Sequence, residues 1–464
     1  MLYDPMNKDT IAAIATSFGQ AGIGIVRISG SLSIEIADRI FIPRRDIKEL
    51  ESHHLYLGQL IDPASGEMVD EVLLSFMKSP HSYTREDVIE INSHSGHILL
   101  SRILQIILNE GARLAKPGEF TFRAFSNGRI DLTQAEAIVD LINSRSDKGL
   151  ILASRHIRGE LREKIEALRR KALDILAHAE VAIDFPEEES AIVPRKDTAS
   201  LMERELIEPI EEVIAAHARR KIWMDGIATV IAGRVNAGKS SLLNRLLNEQ
   251  RAIVTSVPGT TRDVIESTIY IEGLPFRLMD TAGLRKVRGK VEKIGIHLSE
   301  QKLREADLSL LLIDQSRPLN EDDMKILAKS HKEKSLVIIN KIDLPSRVDE
   351  DVLRSEVNGR PIVKVSALTG EGINDLCVAI RDKVMESDLD TASLSLAPNL
   401  RHKKALMEAS RFFKTAVLNT REGYPMEIIA VDLNAGLEAL AEITGETGNE
   451  DLYDKIFSEF CLGK

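Results

Sequence analysis

Short apolar segments alternate with glycine-containing turns through residues 1–122. Three of these segments, Ile23–Ser29, Val72–Met77 and Asp87–Asn92, are predicted to be strands, while Leu99–Leu108 has the spacing of a helix. Strands mixed with a helix in this way indicate an α+β domain.

Two later parts of the chain, residues 123–222 and 386–464, have apolar positions at the three- to five-residue intervals of amphipathic helices. Both parts are therefore predicted to be helical. The positions that form the stripes are Leu161, Ile165, Leu168, Leu173 and Leu176 in the first part, and Leu437, Leu440, Ile443, Leu452, Ile456 and Phe460 in the second.

Between them, residues 223–385 alternate apolar strands with helices. The predicted strands contain the sequences IATVIAG, FRLMD, SLLLID, LVIIN and PIVKVS. Such alternation predicts a parallel sheet with crossover helices. We expect this α/β part to be inserted between the two halves of one helical domain, which makes the whole chain a multidomain α/β and α protein.

Composition sets limits on the function. With 464 residues the chain has room for two to four domains, and 43% hydrophobic with 29% charged residues is typical of globular proteins. No apolar run reaches membrane-spanning length, and the first residues do not resemble a signal peptide. Two cysteines, Cys377 and Cys461, cannot form a disulfide framework, so we expect a cytoplasmic protein. A net charge of −11 argues against a broad basic surface that coats nucleic acid.

A phosphate-binding pattern directly follows the predicted strand IATVIA. Residues Gly233–Ser240, with the sequence GRVNAGKS, have the P-loop spacing. Glycines let backbone N–H groups approach phosphates, and the following helix offers its positive N-terminus. In this pattern Lys239 reaches the β- and γ-phosphates, and the Ser240 hydroxyl binds Mg²⁺.

Three later motifs each end a predicted strand. The carboxylate that opens Asp280–Gly283 can hold Mg²⁺ through water, and the Gly283 N–H can sense a γ-phosphate. In Asn340–Asp343 the carboxylate can accept from guanine N1–H and N2–H₂, which adenine cannot offer, and Ser366–Leu368 supplies a backbone contact to the base. Together with the P-loop, these motifs predict a GTPase.

One expected residue is absent. Ras-type GTPases place a water-orienting Gln directly after the glycine that ends the motif at Asp280–Gly283. This chain has Leu284 at that position. Three other residues are therefore candidates for catalysis: Arg262 and Arg285 as arginine fingers, and Glu292 near a predicted helix start. Surface ion pairs for the arginines, and a charge at a helix N-terminus for Glu292, are the alternative interpretations.

The motifs together resemble the MnmE/TrmE family of GTPases, which modify the wobble uridine of tRNA. The resemblance runs through DTIAAIAT, IGIVRISG, SYTREDVIEI, LAKPGEFTFRAFSNGRIDLTQAEAI, AIDFPEEE, NAGKSSLLN, VPGTTRDV, DTAGLR, VEKIGI, NKID and FCLGK. The GEFTFRAF stretch and the Cys-x-Gly-Lys tail are more specific than the P-loop. Family members tend to start at DTIAAIA, which makes Met6 an alternative initiator to Met1.

At the nucleotide, the resemblance implies that K⁺ takes the place of an arginine finger. Its implied ligands are Asn236, Thr255, Val257 and Thr260. Thr261 would join Ser240 in binding Mg²⁺, and Glu292 would act on the attacking water. The implied GTP-binding residues are Asn236, Ala237, Gly238, Lys239, Ser240, Ser241, Thr255, Ser256, Val257, Pro258, Gly259, Thr260, Thr261, Asp280, Thr281, Ala282, Gly283, Asn340, Lys341, Asp343, Ser366, Ala367 and Leu368.

For residues 1–122 the resemblance implies a tetrahydrofolate-binding domain that dimerises. Arg27, Glu90 and Arg129 match the family's folate-binding positions. On the sequence alone, a strand-end ion pair for Arg27 and Glu90 and a turn residue for Arg129 are the favoured interpretations. In the C-terminal tail, Lys464 would lie near the folate and Cys461 near its one-carbon unit. Cys461 would either act there as a thiolate or only pack against the site.

The resemblance thus predicts a homodimeric, K⁺-dependent GTPase that works with an FAD-dependent partner in a heterotetramer. Together they would add an aminomethyl or carboxymethylaminomethyl group to C5 of uridine 34 in tRNA. The one-carbon unit would come from tetrahydrofolate in its 5,10-methylene or 5-formyl form, and the amine from ammonium or glycine. The alternative is an Era-like GTPase switch in ribosome assembly. Such proteins usually carry an RNA-binding module such as KH, and we recognise none after residue 385.

Overall fold

The structure is a computed structural model of the chain. It describes residues 9–17, 19, 21–184, 195–249, 267–271, 273–279, 303–385, 396–447 and 450–463. The chain forms two compact units. The first comprises Met1–Ile142, Ala153–Ile214 and Leu400–Lys464, and the second comprises Asn143–Leu152 and Ala215–Asn399.

The described elements are numbered in chain order. The strands are β1 Ile11–Ile14, β2 Ile23–Ser29, β3 Phe41–Pro43, β4 His54–Ile61, β5 Met68–Met77, β6 Val88–His94, β7 Arg113–Leu114, β8 Ile227–Gly233, β9 Ser267–Ile271, β10 Leu274–Leu278, β11 Leu308–Asp314, β12 Ser335–Asn340 and β13 Ile362–Val365. The helices are α1 Ser33–Ile40, α2 His97–Asn109, α3 Glu119–Ser126, α4 Leu132–Asn143, α5 Asp147–Ile157, α6 Glu160–Asp184, α7 Arg195–Met202, α8 Glu208–Met224, α9 Lys239–Glu249, α10 Glu321–Lys329, α11 Glu350–Val357, α12 Ile373–Met385, α13 Leu400–Glu422, α14 Met426–Thr444 and α15 Glu450–Ser458.

The first unit contains a seven-stranded sheet in the order β3-β4-β5-β6-β2-β1-β7, antiparallel except for the β1–β7 pair. Successive side chains of a strand point to opposite faces. In β5 this places Val72, Leu74 and Phe76 in a core shared with α1 and α2, while Leu73 and Ser75 lie on the other face. One face of the sheet is thus buried. The other face, called here the open face, is exposed along β4 and β5 but buried at β1, where Ile11 and Ala13 pack with Phe120 of α3.

The helices of the first unit enclose another core. Residues 161–213 and residues 405–443 bury their apolar side chains against each other. The contact is close, because a Cβ at Gly436 of α14 would collide with the buried ring of Phe413 in α13. The two helical parts of the chain, which were expected to be halves of one helical domain, share one hydrophobic core.

The second unit contains a six-stranded sheet in the order β13-β12-β11-β8-β10-β9. All neighbouring strands are parallel except the edge strand β9, which runs antiparallel to β10. Strands β11 and β12 are buried along their whole length, as central strands of a parallel sheet are. The carboxyl ends of β8, β12 and β13 share one edge of this sheet, and the P-loop and the two base motifs follow them there.

The elements confirm the predicted fold class, which combines an α+β part, a helical part and an α/β part with a mainly parallel sheet. By contacts, residues 215–222 group with the second unit, whereas the pattern of apolar positions placed them with the helices before it. The four domain ranges 1–122, 123–222, 223–385 and 386–464 remain predictions.

Candidate functional site

The P-loop lies between the end of β8 at Gly233 and the start of α9 at Lys239. Two of its residues have left-handed backbone conformations, Asn236 with φ 65° and Gly238 with φ 99°. Two features exclude a side chain at Gly238. The left-handed backbone is unfavourable for residues with a Cβ, and a Cβ would collide with the amide nitrogen of Asn340. The loop therefore keeps its backbone bare where a phosphate chain would approach it.

Lys239 is folded over the loop. Its Nζ donates to the carbonyl oxygens of Gly233 at 2.6 Å and Arg234 at 2.9 Å. Burial lowers the pKa of the Lys239 ammonium from its usual value. Ser240 and Ser241 lie exposed in the first turn of α9. A cation and a helix N-terminus that meet at one loop favour the binding of phosphate.

Asn340, at the end of β12, joins the P-loop to the loop after β13. Its Nδ2 donates to Ala237 O at 2.9 Å, and its Oδ1 accepts from the Ala367 N–H at 3.0 Å. Only 1% of Asn340 is exposed. A buried amide with a partner at each end fixes the distance between the two loops.

The next residues along the chain strengthen the same junction. Lys341, with φ 69°, donates from Nζ to Asn236 O at 2.9 Å and to the Asp314 carboxylate at 2.7 Å. The hydroxyl of Ser366 donates to Asp343 Oδ1 at 2.6 Å. The structure thus brings the described part of the predicted GTP site together, from three separate strand ends.

The contacts of the Arg234 side chain could not be predicted from the sequence. This P-loop side chain lies 3.3 Å from the Asp323 carboxylate and donates to Pro318 O at 3.1 Å and to Asp314 O at 3.3 Å. It ties the P-loop to α10 and to the end of β11. The P-loop pattern leaves this position free, so the motif contains no signal for the contact.

A second group of predicted residues meets on the open face of the seven-stranded sheet. Arg27 of β2 lies directly opposite Glu90 of β6, and its Nε donates to Glu90 Oε1 at 2.8 Å. The guanidinium also lies over two aromatic rings, 5.8 Å from the centroid of Tyr83 and 5.6 Å from that of Phe120. These contacts hold a charged side chain that is only one-fifth exposed (21%).

Tyr83 also holds Arg129. The Arg129 guanidinium lies 4.8 Å from the centroid of the same ring and donates to the Tyr83 carbonyl at 3.0 Å. The Tyr83 hydroxyl is 2.9 Å from Thr121 Oγ1, and burial raises the pKa of this hydroxyl. The three predicted positions Arg27, Glu90 and Arg129 are therefore close neighbours. The residue between two of them, Tyr83, was not predicted, although it lies within a motif of the resemblance, SYTREDVIEI.

The C-terminal tail is packed onto this site. Arg27 Nη1 donates to the carbonyl of Gly463 at 3.2 Å. Gly463 has φ 92°, and a Cβ there would collide with the carbonyl of Ile14 in β1. Cys461 is a free, exposed thiol two residues earlier.

Comparison with known protein families identifies the family of this chain. Residues 10–129 match the family described as the GTP-binding protein TrmE N-terminus, and residues 132–461 match the MnmE helical domain. The chain belongs to the MnmE family. The resemblance seen in the motifs is thereby confirmed.

Individual relatives match along the whole chain. The protein named tRNA modification GTPase MnmE from Geobacillus kaustophilus is 44% identical over 462 residues, which cover 98% of this chain and 99% of the relative. The protein of the same name from Bacillus subtilis is 44% identical over 464 residues, with 98% and 100% covered. Among solved structures, the G domain of the T. maritima FeoB iron transporter is 26% identical, with 34% of this chain and 98% of that one covered. The TM-score of this pair is 0.26.

The most specific MnmE-like stretch, GEFTFRAF, is used for structure. Its Arg123 contacts Asp9, Glu86 and Glu119, and Arg113 contacts Asp9 and Glu119. Burial alone would raise the pKa of the Glu119 carboxyl, but hydrogen bonds from Arg113 and the Lys116 backbone keep it below its usual value. This network fixes α3 beside the N-terminal strands and so supports the Arg27 site.

Several residues named from the sequence fall outside the described residues, and their roles stay predictions. They are Thr255, Ser256, Val257, Pro258, Gly259, Thr260, Thr261, Arg262, Asp280, Thr281, Ala282, Gly283, Arg285, Glu292 and Lys464.

Proposed function

We propose that this chain is a homodimeric, K⁺-dependent GTPase of tRNA modification. With an FAD-dependent partner protein it adds an aminomethyl or carboxymethylaminomethyl group to C5 of uridine 34. The one-carbon unit comes from 5,10-methylene- or 5-formyl-tetrahydrofolate. The observation that carries the proposal is the convergence of the P-loop, Asn340–Asp343 and Ser366–Leu368 at one edge of a parallel sheet, in a chain whose curated relatives are named tRNA modification GTPases.

The described residues of the nucleotide site fit the proposed cations. The Ser240 hydroxyl is exposed in the first turn of α9 and is a ligand for Mg²⁺, with Thr261 as the second. The Asn236 side chain is exposed and makes no hydrogen bond to any described residue, so its amide oxygen is available to K⁺. Thr255, Val257 and Thr260 are the other proposed K⁺ ligands. When bound there, K⁺ supplies positive charge beside the phosphates. Glu292 is proposed to orient the attacking water.

The Arg27 site fits a folate in its charges. The Glu90 carboxylate can accept hydrogen bonds from the amidine-like edge of a pterin, and Arg129 is an exposed cation for a carboxylate tail. Arg27 lies between them with part of its surface open. Cys461 and Lys464 of the tail are proposed to complete the site.

The open face of the same sheet supports a homodimer through the N-terminal domain. Leu57 of β4 lies directly opposite Leu73 of β5, with Leu55 two residues along, and these side chains are 39%, 42% and 65% exposed. A second copy of the chain is proposed to cover this apolar patch, which would otherwise stay in contact with water. Within the described residues, every helix is too short or too polar to span a membrane, and the proposed location is the cytoplasm.

The first experiment measures GTP hydrolysis by the purified chain in KCl and in NaCl at equal ionic strength. We expect K⁺ to raise the rate by at least about tenfold, a small part of the ~10³–10⁵ that an arginine finger contributes. Asn236→Ala should lose this stimulation and still bind GDP. The matched control is Asn244→Ala, which removes an exposed side-chain amide from α9 and leaves the P-loop unchanged.

Glu292→Ala is expected to bind GTP but to hydrolyse it slowly. Equal rates in the two salts would overturn the K⁺ site and return Arg262 and Arg285 as the candidates. Normal turnover by Glu292→Ala would overturn the role given to that residue. A wild-type chain that neither binds nor hydrolyses GTP would overturn the proposed function as a whole.

A further inference from the structure

Arg245 reaches from the P-loop helix to the loop after β13. It lies in the second turn of α9, six residues after Lys239. Its Nε donates to Ala367 O at 3.3 Å, and its Nη2 donates to Leu368 O. One guanidinium thus holds two successive carbonyls of the loop that is predicted to contact the base.

These carbonyls have no other hydrogen-bond donor within the described part of the chain. Three other polar groups of the loop have partners elsewhere. Asn340 accepts from the Ala367 N–H, Asp343 accepts from the Ser366 hydroxyl, and the Ser366 carbonyl accepts from the Gly370 N–H. The Ala367 and Leu368 carbonyls are therefore left to Arg245. A rigid guanidinium with several donors suits this task better than a flexible ammonium.

Holding a carbonyl also sets the direction of the next N–H. The peptide unit is planar and trans, so the C=O and N–H of one unit point in opposite directions. With its oxygen drawn towards Arg245, the Ala367 carbonyl turns the Leu368 N–H away from α9. Leu368 O fixes the Thr369 N–H in the same way, and that group donates to Ser366 Oγ at 3.1 Å.

We propose that Arg245 is a positioning residue for guanine recognition, which orients the Leu368 N–H towards the base. The inference rests on the proposed function, because it requires that the site binds guanine nucleotides. A backbone N–H can serve only an acceptor on the base. Guanine has an oxo acceptor at position 6, where adenine has an amino donor. Arg245 therefore favours the 6-oxo group, while Asp343 accepts from N1–H and N2–H₂.

The experiment measures the release of fluorescently labelled GDP from the whole chain by stopped flow. Arg245→Ala should release GDP about tenfold faster. A hydrogen bond from a charged donor stabilises a folded site, and a partly exposed donor such as Arg245 contributes free energy at the low end of the range usual for such bonds. Arg245→Lys keeps the positive charge but loses the planar fork of donors. Its rate of GDP release should lie between the rates of Arg245→Ala and the wild type. The matched control is Arg354→Ala, which removes a 74% exposed arginine from α11 of the same unit.

A second nucleotide separates positioning from a general loosening of the fold. The diphosphate of 2-aminopurine riboside lacks the 6-oxo group, so Arg245→Ala should leave its affinity unchanged while GDP affinity falls.

Equal losses for both nucleotides would overturn the proposal in favour of a structural role. If the wild type binds GDP and Arg245→Ala releases it at the wild-type rate, the proposal would be overturned as well. No GDP binding by the wild type would instead overturn the proposed function.

Discussion

One residue at the nucleotide site with no room for a side chain is Gly238. Its backbone is left-handed, and the amide nitrogen of Asn340 occupies the place of a Cβ. That amide is also the link between the P-loop and the loop after β13. A side chain at residue 238 would therefore displace the group that sets the spacing of the site.

We expect Gly238→Ala to weaken GDP binding by more than tenfold, because it adds about 1–2 kcal/mol of backbone strain and also displaces Asn340. Calorimetric titration with GDP measures this loss. The matched control is Gly273→Ala, since Gly273 has φ 76° but open space around its Cβ position. The control should lower the melting temperature slightly and leave GDP affinity intact. An equal loss of affinity in both variants would show that strain, and not the collision, is responsible.

Residues that carry chemistry in a local motif could be predicted, whereas residues that position them could not. Asn340, Asp343 and Lys239 were identified because each lies in a short pattern at a strand end. Arg245 contacts a carbonyl 123 residues away, and Tyr83 contacts an arginine 46 residues away. No spacing in the sequence encodes such contacts, since they arise only when separate elements pack together.

At the scale of elements, the last helix and the tail behave as one docking segment. The ring of Phe457 in α15 meets that of Phe122 in α3 edge-on, with centroids 5.2 Å apart, and Phe460 lies in the same cluster. Gly118, at the start of α3, has no room for a Cβ against the Phe457 carbonyl. These contacts bring Gly463 to Arg27.

Gly463→Ala is expected to displace the tail from Arg27, because the new Cβ collides with the Ile14 carbonyl and φ 92° is unfavourable for alanine. Affinity for 5-formyl-tetrahydrofolate should fall by roughly tenfold, with GDP affinity unchanged, in calorimetric titrations of the same preparation. Leu462→Ala, which shortens a 42% exposed neighbour, is the control. Full folate affinity in Gly463→Ala would show that the tail does not take part in the site.

Periodicity predicted the existence of these elements better than their ends. The strand Ile23–Ser29 has the predicted bounds, but β5 begins at Met68 and not at Val72. The added residues are partly polar and are strand only because they pair with β4. The π-helical turn Glu203–Ile207 between α7 and α8 left no signal in the apolar spacing.

At the scale of the molecule, one ionic cluster joins distant parts of the first unit. Glu136 of α4 accepts from Arg401 at 2.9 and 2.8 Å and lies 2.6 Å from His402 Nε2, both in α13. Arg401 also donates to the carbonyls of Glu442 and Ile443 near the end of α14. Burial alone would raise the pKa of the Glu136 carboxyl, but the charges of His402 and Arg401 hold it well below its usual range.

Glu136→Gln should lower the free energy of unfolding by about 3 kcal/mol at pH 7, because it leaves buried charges without their partner. A carboxyl whose pKa is lowered by folding stabilises the protein above its unfolded pKa, about 4.3, and loses this effect as the pH falls towards the folded value. The deficit of the variant should therefore shrink below about pH 4. Urea unfolding followed at several pH values measures it, with exposed Glu438→Gln as the control. A deficit that stays constant down to pH 3 would contradict this account.

The insertion of an α/β part between two helical parts could be predicted from the change of period along the chain. That the two helical parts form one domain was inferred as well. Which side chains meet in their shared core could not be predicted, because an apolar stripe shows that a helix is buried and not what covers it. The same limit applies to the open face of the seven-stranded sheet, whose cover is still a proposal.

The hydrogen bond between Arg27 and Gly463 also has a consequence for biosynthesis, since it joins positions 436 residues apart. Domains fold as they leave the ribosome, so the N-terminal sheet is formed long before residue 463 is made. The distance itself adds little cost, because loop-closure entropy grows only with the logarithm of length. Any translation product that stops before α15 therefore has an unfinished Arg27 site. If the proposed folate binds at this site, chains that contain the tail should retain it more tightly than products that stop before α15.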